Sequence, residues 1–453
     1  MKVFKFGGAS VNSADAVRNM AQIVQNHLET EPLVVVVSAM GKTTNLLEKL
    51  VPESGEFGAR SSEFGRGVPP CTPSSCQPSL GYTTEKGELR RQLEDYHLAI
   101  AKSLIPGDEG IVNKVATLLT ELDRTIDTLQ HSGSQAIRHY NYCYDQVVSY
   151  GELISTTIVA EYLNHLGIKT LWCDARQLIV TDDHYREGRV DWQATRERVW
   201  GLESGVRNSY QVVLTQGFIG GTSGQKTTTL GREGSDYSAT ILAHCLDAES
   251  VTIWKDVPGF LNADPKFFKD TVKIGQIPYN EAIELAYYGA SVIHPKTVKP
   301  IQNKNIPLYI RSFITPDSEG SAIGNYHTIY PETPLYIFKN DQILLSILPR
   351  DYSFIAEDNL QVIFGLLNEL GIRVNLMQNS ALSFSICVDN HPQRIAQLIE
   401  RLDTMFRVRY NENLQLITIR YYTQEVIDRI VAGRPIFLEQ RSRSTEQLIV
   451  PVD

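Results

Sequence analysis

Residues 215–239, TQGFIGGTSGQKTTTLGREGSDYSA, combine several side chains that can bind anions. Two glycine-rich turns surround a run of threonines and bring Arg232, Ser235 and Asp236 to the start of a predicted helix. A guanidinium group can clamp a carboxylate or a phosphate, and the N–H groups at a helix N-terminus attract anions. Because residues of this kind seldom cluster in an idle loop, the segment predicts a ligand site.

A second candidate anion site is KFGGAS, residues 5–10. Gly7 and Gly8, between a predicted strand and a helix, would let backbone N–H groups approach an anion, and Lys5 would add a mobile positive charge. A tight turn with a surface lysine explains so short a motif about as well. The pattern matches neither GxxxxGK[ST] nor GxGxxG, so it indicates neither a P-loop nor a Rossmann phosphate site.

Polar residues also follow the valine-rich strand of VVVVSAMGKTTNLL. Ser38 and Thr44 lie where the carboxyl end of a parallel strand would face a ligand crevice, although Thr44 or its neighbour could instead cap the next helix. In SYGELIS, Glu152 stands in the first turn of a predicted helix, where the helix dipole by itself favours a carboxylate. The functional interpretation of Glu152 is an acceptor for a substrate ammonium group.

Two further segments carry charged residues after predicted strands. The first, WKDVPGFLNADPK, contains Asp256, Asp264 and Lys266. Asp, Pro, Gly and Asn also stabilise turns without any ligand, so turn chemistry is the alternative explanation. The second, YYGASVIHPKT, ends with His294 and Lys296.

The hydrophobic pattern predicts a parallel α/β scaffold for these residues. Val3–Phe6 and Leu33–Val37 are short β-rich runs, and the apolar residues between them recur at helical spacing, which indicates a β-α-β unit. Further strand-and-helix units follow, so residues 1–314 are predicted to form one domain with an open, mostly parallel sheet. Residues 52–82, dense in Gly, Ser and Pro and without periodicity, predict a flexible insertion.

The pattern changes after a polar, glycine-rich boundary at residues 312–325. Residues 335–410 follow the order β-α-β-β-α-β, which is typical of a ferredoxin-like unit. Residues 411–453 predict an abridged second unit without a final helix. Ferredoxin-like units have exposed sheet edges that a partner commonly covers, so a homodimer through this region is expected.

Composition disfavours several classes of function. The net charge of −9 argues against nucleic-acid binding, which needs a basic excess. Neither a long apolar run nor a signal-peptide pattern occurs, so no membrane association is predicted and a cytoplasmic location is expected. Cys71 and Cys76, the closest pair of cysteines, have no partner at zinc-like spacing, so no protein-held metal site is predicted.

Taken together, KFGGAS, VVVVSAMGKTTNLL, SYGELIS, QGFIGG, TTTLGREGSDYSA, WKDVPG, NADPK and GASVIHPKT resemble, in order and spacing, the aspartate kinase branch of the amino acid kinase family. The resemblance spans almost the whole chain, and the C-terminal region resembles the ACT-type regulatory domains of that branch. It implies a kinase that uses ATP and Mg²⁺ to phosphorylate the side-chain carboxylate of L-aspartate, the first step toward lysine, threonine and methionine.

The resemblance also assigns roles by position. Lys5, with Gly7 and Gly8 beside it, would bind the transferring phosphoryl group, and Asp236 would organise that lysine and the metal-bound phosphates. The aspartate substrate would contact Ser38, Thr44, Glu152 through its ammonium, Arg232 through its α-carboxylate, and Ser235. The nucleotide would contact Trp254, Lys255, Asp256, Asp264, Lys266 and Ser291.

Three positions depart from the pattern of many relatives. Ala9 replaces the threonine of KFGGTS, Lys255 replaces a threonine in WKDVPG, and Ser291 replaces a lysine that approaches the nucleotide. We therefore consider the hypothesis that Lys255 compensates for Ser291.

A fourth difference concerns regulation. Lysine-sensing relatives read roughly VDLITTSE after the first ACT helix, whereas this chain reads VNLMQNSA, with Asn375 and Ala381 in place of two carboxylates. A bound ammonium in a partly dry interface needs a compensating charge, so lysine binding is predicted to be weak. The amide and hydroxyl groups of Asn375, Gln378, Asn379 and Ser380 suit a neutral effector such as threonine, or no effector at all.

Two alternatives stay open from sequence. Another amino acid kinase, acting on glutamate, acetylglutamate or carbamate, would share the glycine turns but should lack the ACT-like region and the GELIS and HPKT segments. A non-catalytic amino-acid sensor would retain only the ACT-like region. The presence of Lys5, Arg232 and Asp236 argues against that second alternative.

Overall fold

The computed structural model describes residues 1–29, 31–52, 84–130, 137–206, 209–268, 270–290, 292–351 and 353–452. Ser291 and nearly all of the predicted insertion at 52–82 lie outside the described residues. The chain divides into two compact units. The first comprises Met1–Phe260, Gly275–Ala282 and Ile293–Thr328, and the second comprises Leu261–Ile274, Ile283–Val292 and Ile329–Asp453.

The predicted domain at 1–314 therefore contributes two short segments to the second unit. Through residue 324 the strands are β1 (Lys2–Phe6), β2 (Leu33–Val37), β3 (Thr170–Cys173), β4 (Val180–Thr181), β5 (Val212–Gln216), β6 (Ile219–Thr222), β7 (Thr227–Thr229), β8 (Ser250–Lys255), β9 (Phe260–Leu261), β10 (Lys273–Ile274), β11 (Gln276–Pro278), β12 (Leu308–Ser312) and β13 (Ser321–Gly324).

A short 3-10 helix, Gly8–Val11, follows β1. The α-helices of the same part of the chain are α1 (Ala14–Asn26), α2 (Thr43–Glu48), α3 (Thr84–Leu104), α4 (Glu109–Gln130), α5 (Ile137–Val148), α6 (Tyr150–His165), α7 (Ala175–Leu178), α8 (Trp192–Val206), α9 (Gly234–Cys245), α10 (Tyr279–Tyr288) and α11 (Pro295–Gln302).

The first unit is built on an eight-stranded sheet in the order β11-β13-β12-β8-β1-β2-β5-β3. Neighbouring strands are parallel except for the antiparallel pair β12 and β13, which confirms the predicted mostly parallel sheet. β2 and β5 are buried at every residue, as expected for valine-rich strands whose two faces are both covered. β1 lies between β2 and β8, so the carboxyl ends of these three strands are adjacent.

The second unit contains a six-stranded antiparallel sheet in the order β15-β16-β14-β17-β19-β18. Its elements are β14 (Leu335–Pro349), α12 (Glu357–Glu369), β15 (Val374–Asn379), β16 (Phe384–Asp389), α13 (Pro392–Asp403), β17 (Phe406–Arg420), α14 (Gln424–Val431), β18 (Leu438–Arg441) and β19 (Thr445–Pro451). The order from β14 to β17 confirms the predicted ferredoxin-like arrangement.

The sheet of the second unit continues across the predicted boundary between residues 410 and 411, because β17 spans it. Leu335–Lys339 of β14 pair with Leu416–Arg420 of β17, and the rest of β14 pairs with the earlier residues of β17. The two ACT-like units thus share two long strands. None of the helices in the described part of the chain is long and apolar enough to span a membrane.

Candidate active site

Lys5, Lys255 and Asp236 form a buried ionic cluster at the carboxyl edge of the central strands. Lys5 belongs to β1, Lys255 ends the neighbouring strand β8, and Asp236 lies in the first turn of α9. Nζ of Lys5 lies 2.6 Å from Oδ1 of Asp236, and Nζ of Lys255 lies 3.1 Å from Oδ2. Asp236 is fully buried and Lys5 nearly so. Two ammonium groups therefore hold one carboxylate from both sides.

The protonation states of this cluster follow from its contacts. Burial alone would raise the pKa of Asp236, but the adjacent ammonium groups of Lys5 and Lys255 hold it below its usual value. Burial would likewise lower the pKa of Lys255, yet Asp236 and Glu233 raise it. Oε2 of Glu233 is 3.9 Å from Nζ of Lys255. These contacts therefore favour the ionised form of Asp236 and the protonated form of Lys255, with Glu233 as a more distant partner.

The glycine turn after β1 brings the backbone close to the loop after β2. A Cβ on Gly8 would lie 2.8 Å from the carbonyl oxygen of Ala39 and 2.9 Å from that of Gly41, so a side chain there would force the two loops apart. The turn leads into the short 3-10 helix Gly8–Val11. α1 begins later, at Ala14.

These elements surround a cavity of about 670 Å³. Predicted site residues that line it are Lys5, Gly8, Ser38, Thr44, Glu152, Arg232, Ser235 and Asp236. The structure thus brings together residues from β1, from the loop and helix after β2, from α6 and from the start of α9. Ser38 is fixed there because its N–H donates to the carbonyl of Phe6 over 3.1 Å and its carbonyl accepts from Oγ of Ser155 over 2.7 Å.

Glu152 places a buried carboxylate with one unsatisfied oxygen in this cavity. Oε1 accepts a hydrogen bond from the N–H of Ala39 at 3.2 Å, while Oε2 has no hydrogen-bond partner among the described residues. Burial raises the pKa of Glu152 to about 8, although the Ala39 N–H and the charge of Lys5 oppose the shift. A cationic ligand group would supply the missing partner and would favour the ionised form.

The turn before α9 is held in a strained backbone conformation. Gly231 has φ +78°, and Glu233, the residue before the first helical residue, has φ +54°. A non-glycine residue in the left-handed region is uncommon, and such residues concentrate at functional sites. Arg232, between them, is exposed and makes no ion pair or hydrogen bond within the described ranges. Its guanidinium is therefore available to a carboxylate ligand.

The residues predicted to contact the nucleotide are placed differently. The indole of Trp254 is fully buried and stacks on Phe6, with ring centroids 6.0 Å apart, so only its backbone could reach a ligand. Asp256 is exposed after β8. Asp264 and Lys266 belong to the second unit, where the N–H of Lys266 donates to Oδ1 of Asp264 at 2.9 Å. Lys255 contacts Asp236, and all of these nucleotide assignments, that of Lys255 included, stay predictions.

Sequence reasoning missed four residues of this region, Tyr144, Asp145, Arg186 and Thr229. Tyr144, Arg186 and Thr229 line the cavity, and the guanidinium of Arg186 lies 4.2 Å from the centre of the Tyr144 ring. Asp145 is fully buried and accepts hydrogen bonds from Arg186 and Thr229. The sequence offered a signal for Thr229, which belongs to the Thr run of the segment already singled out, but none for Asp145 or Arg186. Their spacing along the chain, however, does not show that they meet.

Comparison with known proteins places this arrangement in a family. Residues 1–312 match the Amino acid kinase family. Lysine-sensitive aspartokinase 3 of Escherichia coli (strain K12) is 30% identical over 428 residues, which cover 92% of this chain and 86% of that protein. Aspartokinase 1, chloroplastic, of Arabidopsis thaliana is 30% identical over 411 residues, 88% of this chain and 65% of that protein.

Solved structures agree with the sequence relatives. The crystal structure of E. coli aspartokinase III in complex with aspartate and ADP has a TM-score of 0.78 at 27% identity, and the match covers 100% of this chain and 96% of that chain. Aspartate kinase of Clostridium acetobutylicum shares the fold, with a TM-score of 0.73 at 20% identity over 100% of this chain and 96% of that chain. The chain therefore belongs to the amino acid kinase family and, within it, to the aspartokinases.

Proposed function

We propose that the chain is an aspartate kinase, which transfers the γ-phosphoryl group of ATP to the side-chain carboxylate of L-aspartate. The observation that carries this proposal is one cavity lined by the Lys5–Asp236 pair, by Glu152 with its unpartnered oxygen, and by the unpaired Arg232. The first fits a phosphoryl group, and the other two fit the ammonium and α-carboxylate of an amino acid. The E. coli relative described above was crystallised with aspartate and ADP, which supports the same pair of ligands.

The nucleophile of this reaction needs no general base. The side-chain carboxylate of aspartate has an ordinary pKa near 4, so it is ionised at neutral pH. One carboxylate oxygen forms a bond to the γ-phosphorus as the bond to the β,γ-bridging oxygen breaks, and ADP leaves with that electron pair. The protein must hold the two reactants in line and neutralise the charge that builds between them.

The Lys5–Asp236–Lys255 cluster is suited to that neutralisation. An ammonium group has three donors, so Lys5 can keep its bond to Asp236 and still donate to a phosphoryl oxygen. Asp236, paired on both oxygens, would orient the two lysines and leave a net positive charge at the transferring group. Gly7 and Gly8 would let the backbone approach the same phosphates.

The described residues fit a Mg²⁺ ion that arrives with ATP. No group of three or more His, Cys, Asp or Glu side chains that could hold a metal is found among them, and both oxygens of Asp236 already face ammonium groups. Mg²⁺ commonly binds through substrate phosphates and one or two carboxylates. When bound, it would add positive charge at the β- and γ-phosphates, and Glu233, whose residue lines the cavity, would offer it a carboxylate.

At the amino-acid end, Glu152 and Arg232 would fix the substrate by its ammonium and α-carboxylate. A guanidinium can bind a carboxylate through two parallel hydrogen bonds, which also sets orientation. Ser38, Thr44 and Ser235 would border the bound amino acid. The substrate then presents its side-chain carboxylate toward the lysine cluster.

The alternatives are not favoured. The aspartokinase relatives match both the kinase region and the ACT-like region, since the E. coli protein aligns with 92% of this chain. A sensor without catalysis would have no use for a buried Lys5–Asp236 pair beside an amino-acid site. Several expectations from the sequence stay predictions. They are a homodimer through the ACT-like region, a neutral amino-acid effector, a cytoplasmic location, and the nucleotide contacts of Asp256, Asp264, Lys266 and Ser291.

The test is an acyl-phosphate trap on the purified full-length protein. ATP, Mg²⁺ and hydroxylamine are supplied with L-aspartate, L-glutamate or N-acetyl-L-glutamate, and the hydroxamate is measured together with ADP. We expect a product with L-aspartate only, and its loss in Lys5→Ala. A larger signal with either of the other acceptors would overturn the proposal, and so would ADP release that is independent of any acceptor.

A further inference from the structure

Asp145 is a buried carboxylate that holds two residues of the cavity wall. Oδ2 of Asp145 accepts hydrogen bonds from the backbone N–H of Arg186 at 2.8 Å and of Thr229 at 2.9 Å. Oδ1 accepts a third bond from the hydroxyl of Thr229 at 2.7 Å. Asp145 is fully buried, whereas Arg186 and Thr229 line the cavity. Three donors thus converge on a side chain that the proposed chemistry does not use.

The hydroxyl of Thr229 has a fixed polarity as a result. Burial raises the pKa of Asp145 to about 6, with the hydrogen bonds from Arg186 and Thr229 opposing the shift, so the carboxyl is mainly ionised at and above neutral pH. An ionised carboxylate only accepts hydrogen bonds, and a hydroxyl has a single proton. Thr229 must therefore donate that proton to Asp145. Only its lone pairs remain for a ligand in the cavity.

The surrounding backbone leaves Thr229 little freedom to rearrange. Gln146, next to Asp145 in α5, donates to the carbonyl of Thr227 at 2.8 Å and accepts from its N–H at 3.2 Å. The carbonyl of Thr229 accepts from the N–H of Gly188 at 2.8 Å. Asp145 and Gln146, which are consecutive in α5, therefore bind Thr229 and Thr227 at the two ends of β7. Arg186 is held in the left-handed region at φ +68°, a strained conformation for a non-glycine residue.

We propose that Asp145 is a positioning residue that fixes the Thr229 hydroxyl as a hydrogen-bond acceptor for the ammonium group of the amino-acid substrate. The proposal rests on the proposed function, because it assigns the donor to L-aspartate. Together with Glu152, the wall then offers the ammonium two acceptors. The site would discriminate in this way between an α-amino acid and the same dicarboxylate without an amino group, succinate.

The substitution Asp145→Asn keeps the shape of the side chain but replaces one hydrogen-bond acceptor with a donor. The amide oxygen can still accept from the two backbone N–H groups, but the amide NH₂ faces Thr229 and donates to its hydroxyl. The hydroxyl proton is then free to point into the cavity, against the substrate ammonium. We expect the KM for L-aspartate to rise about tenfold or more, as for the loss of a hydrogen bond to a charged group. Turnover and the KM for ATP should change by less than about twofold.

Thr229 provides the matched variants. Thr229→Val removes the hydroxyl at constant shape and should raise the KM for L-aspartate by a similar factor, while Thr229→Ser should stay near wild type. Because Asp145 acts through Thr229, the double variant with Asp145→Asn should be no worse than Thr229→Val alone. The preference for L-aspartate over succinate should fall in Asp145→Asn and in Thr229→Val. These Thr229 variants decide the proposal even where Asp145→Asn folds poorly.

Asp123→Asn is the control for a buried aspartate outside the site. Asp123 accepts two hydrogen bonds from Arg90, at 2.8 Å and 3.0 Å, so its variant should lower the melting temperature and leave both KM values unchanged. If Asp145 has only a structural role, Asp145→Asn should likewise lower the melting temperature and leave both KM values unchanged, and that result would overturn the proposal. Additive effects of Asp145→Asn and Thr229→Val on the KM for L-aspartate would also overturn it. If the wild type is active on L-aspartate and Asp145→Asn has an unchanged KM, the proposal for Asp145 fails and the proposed function stands. A wild type inactive on L-aspartate refutes the proposed function instead.

Discussion

Each of the two compact units contains a polar cluster built around lysine, and the clusters are satisfied in different ways. In the first unit, Lys5 and Lys255 both contact Asp236. In the second unit, Nζ of Lys339 donates to Oδ1 of Asn375 at 2.9 Å. The amide of Asn375 in turn donates to Oε1 of Gln342 at 2.8 Å and to Oδ1 of Asp389 at 2.9 Å.

The two clusters differ in the number of ammonium groups that accompany each carboxylate. Around Asp236 two ammonium groups share one buried carboxylate, so a further anion would be stabilised there. Around Asn375 the one ammonium of Lys339 is accompanied by one carboxylate, Asp389. Burial would raise the pKa of Asp389, but hydrogen bonds from Gln342 and Asn375 lower it below its usual value. The two ammonium groups around Asp236 can therefore stabilise a bound anion, whereas the Asn375 cluster pairs one cation with one anion.

The largest expected effect is the loss of the first cluster. Lys5→Ala and Asp236→Ala should each lower turnover by about two to three orders of magnitude, because each removes stabilisation of the charge that develops during transfer. Steady-state kinetics with L-aspartate and ATP measure this. Circular dichroism serves as the control for folding, and a folded variant with near-normal turnover would move the active site elsewhere.

A smaller effect tests whether both lysines of the cluster matter. Lys255→Thr restores the residue of many relatives and should raise the KM for ATP, or lower turnover, by about ten- to a hundredfold, since an ammonium paired with a buried carboxylate is lost. Lys255→Thr combined with Ser291→Lys should recover part of the loss if the lysine has exchanged position. The compensation hypothesis fails if the double variant is no better than Lys255→Thr.

The sequence was sufficient for the sheet but not for all contacts of this cluster. The short apolar run of β1, the valine-rich β2 and the helix-spaced residues between them predict the β-α-β unit, because burial of strands and of one helix face leaves a strong hydrophobic signal. Lys5 and Asp236 could be named through motifs. That Lys255 reaches the same carboxylate follows only from β8 lying beside β1, a pairing between residues about 250 positions apart that no local pattern reveals.

The same limit applies to the wall of the cavity. Asp145 stands in an ordinary amphipathic helix, and its importance comes from meeting Thr229 and Arg186, which follow much later in the chain. In the second unit the element order was readable because alternation and helical spacing are local. The sharing of β14 and β17 was not predicted, because placing a boundary between residues 410 and 411 implied that each ACT-like unit would have its own strands.

Glu152 allows a test by pH. Its pKa in the folded protein is raised to about 8 from an ordinary 4.5, with burial as the main cause. An ammonium ligand needs the ionised form, so the KM for L-aspartate should fall as pH rises from about 6.5 to 8, by up to about tenfold per unit. Glu152→Gln should have a high KM without this slope. A wild-type KM that is flat over this range would contradict the assigned role.

The same pKa predicts the sign of a stability effect. A folded pKa above the unfolded value means that the folded protein binds the extra proton between about pH 4.5 and 8, so stability from this group falls as pH rises through that window. Glu152→Gln imitates the protonated form. Its melting temperature relative to wild type should therefore increase from pH 5 to pH 8, and thermal melts across that range measure it. A difference that shrinks with pH would be inconsistent with a buried, neutral Glu152.

The smallest expected effect concerns the second cluster. We expect lysine to leave the wild type nearly uninhibited and to inhibit a double variant designed for comparison. Millimolar L-lysine should change the aspartate-saturation curve by less than about twofold, because Asn375 already accepts from the internal ammonium of Lys339 and the Asp389 carboxylate already accepts from Gln342 and Asn375. Asn375→Asp alone should stay insensitive, since Lys339 would pair with the new carboxylate. Asn375→Asp combined with Lys339→Met leaves that carboxylate without its internal cation and should gain inhibition by lysine. Half-maximal inhibition of the wild type below about 1 mM, equivalent to about 4 kcal/mol of binding free energy, would show that a lysine site exists despite the balanced charges.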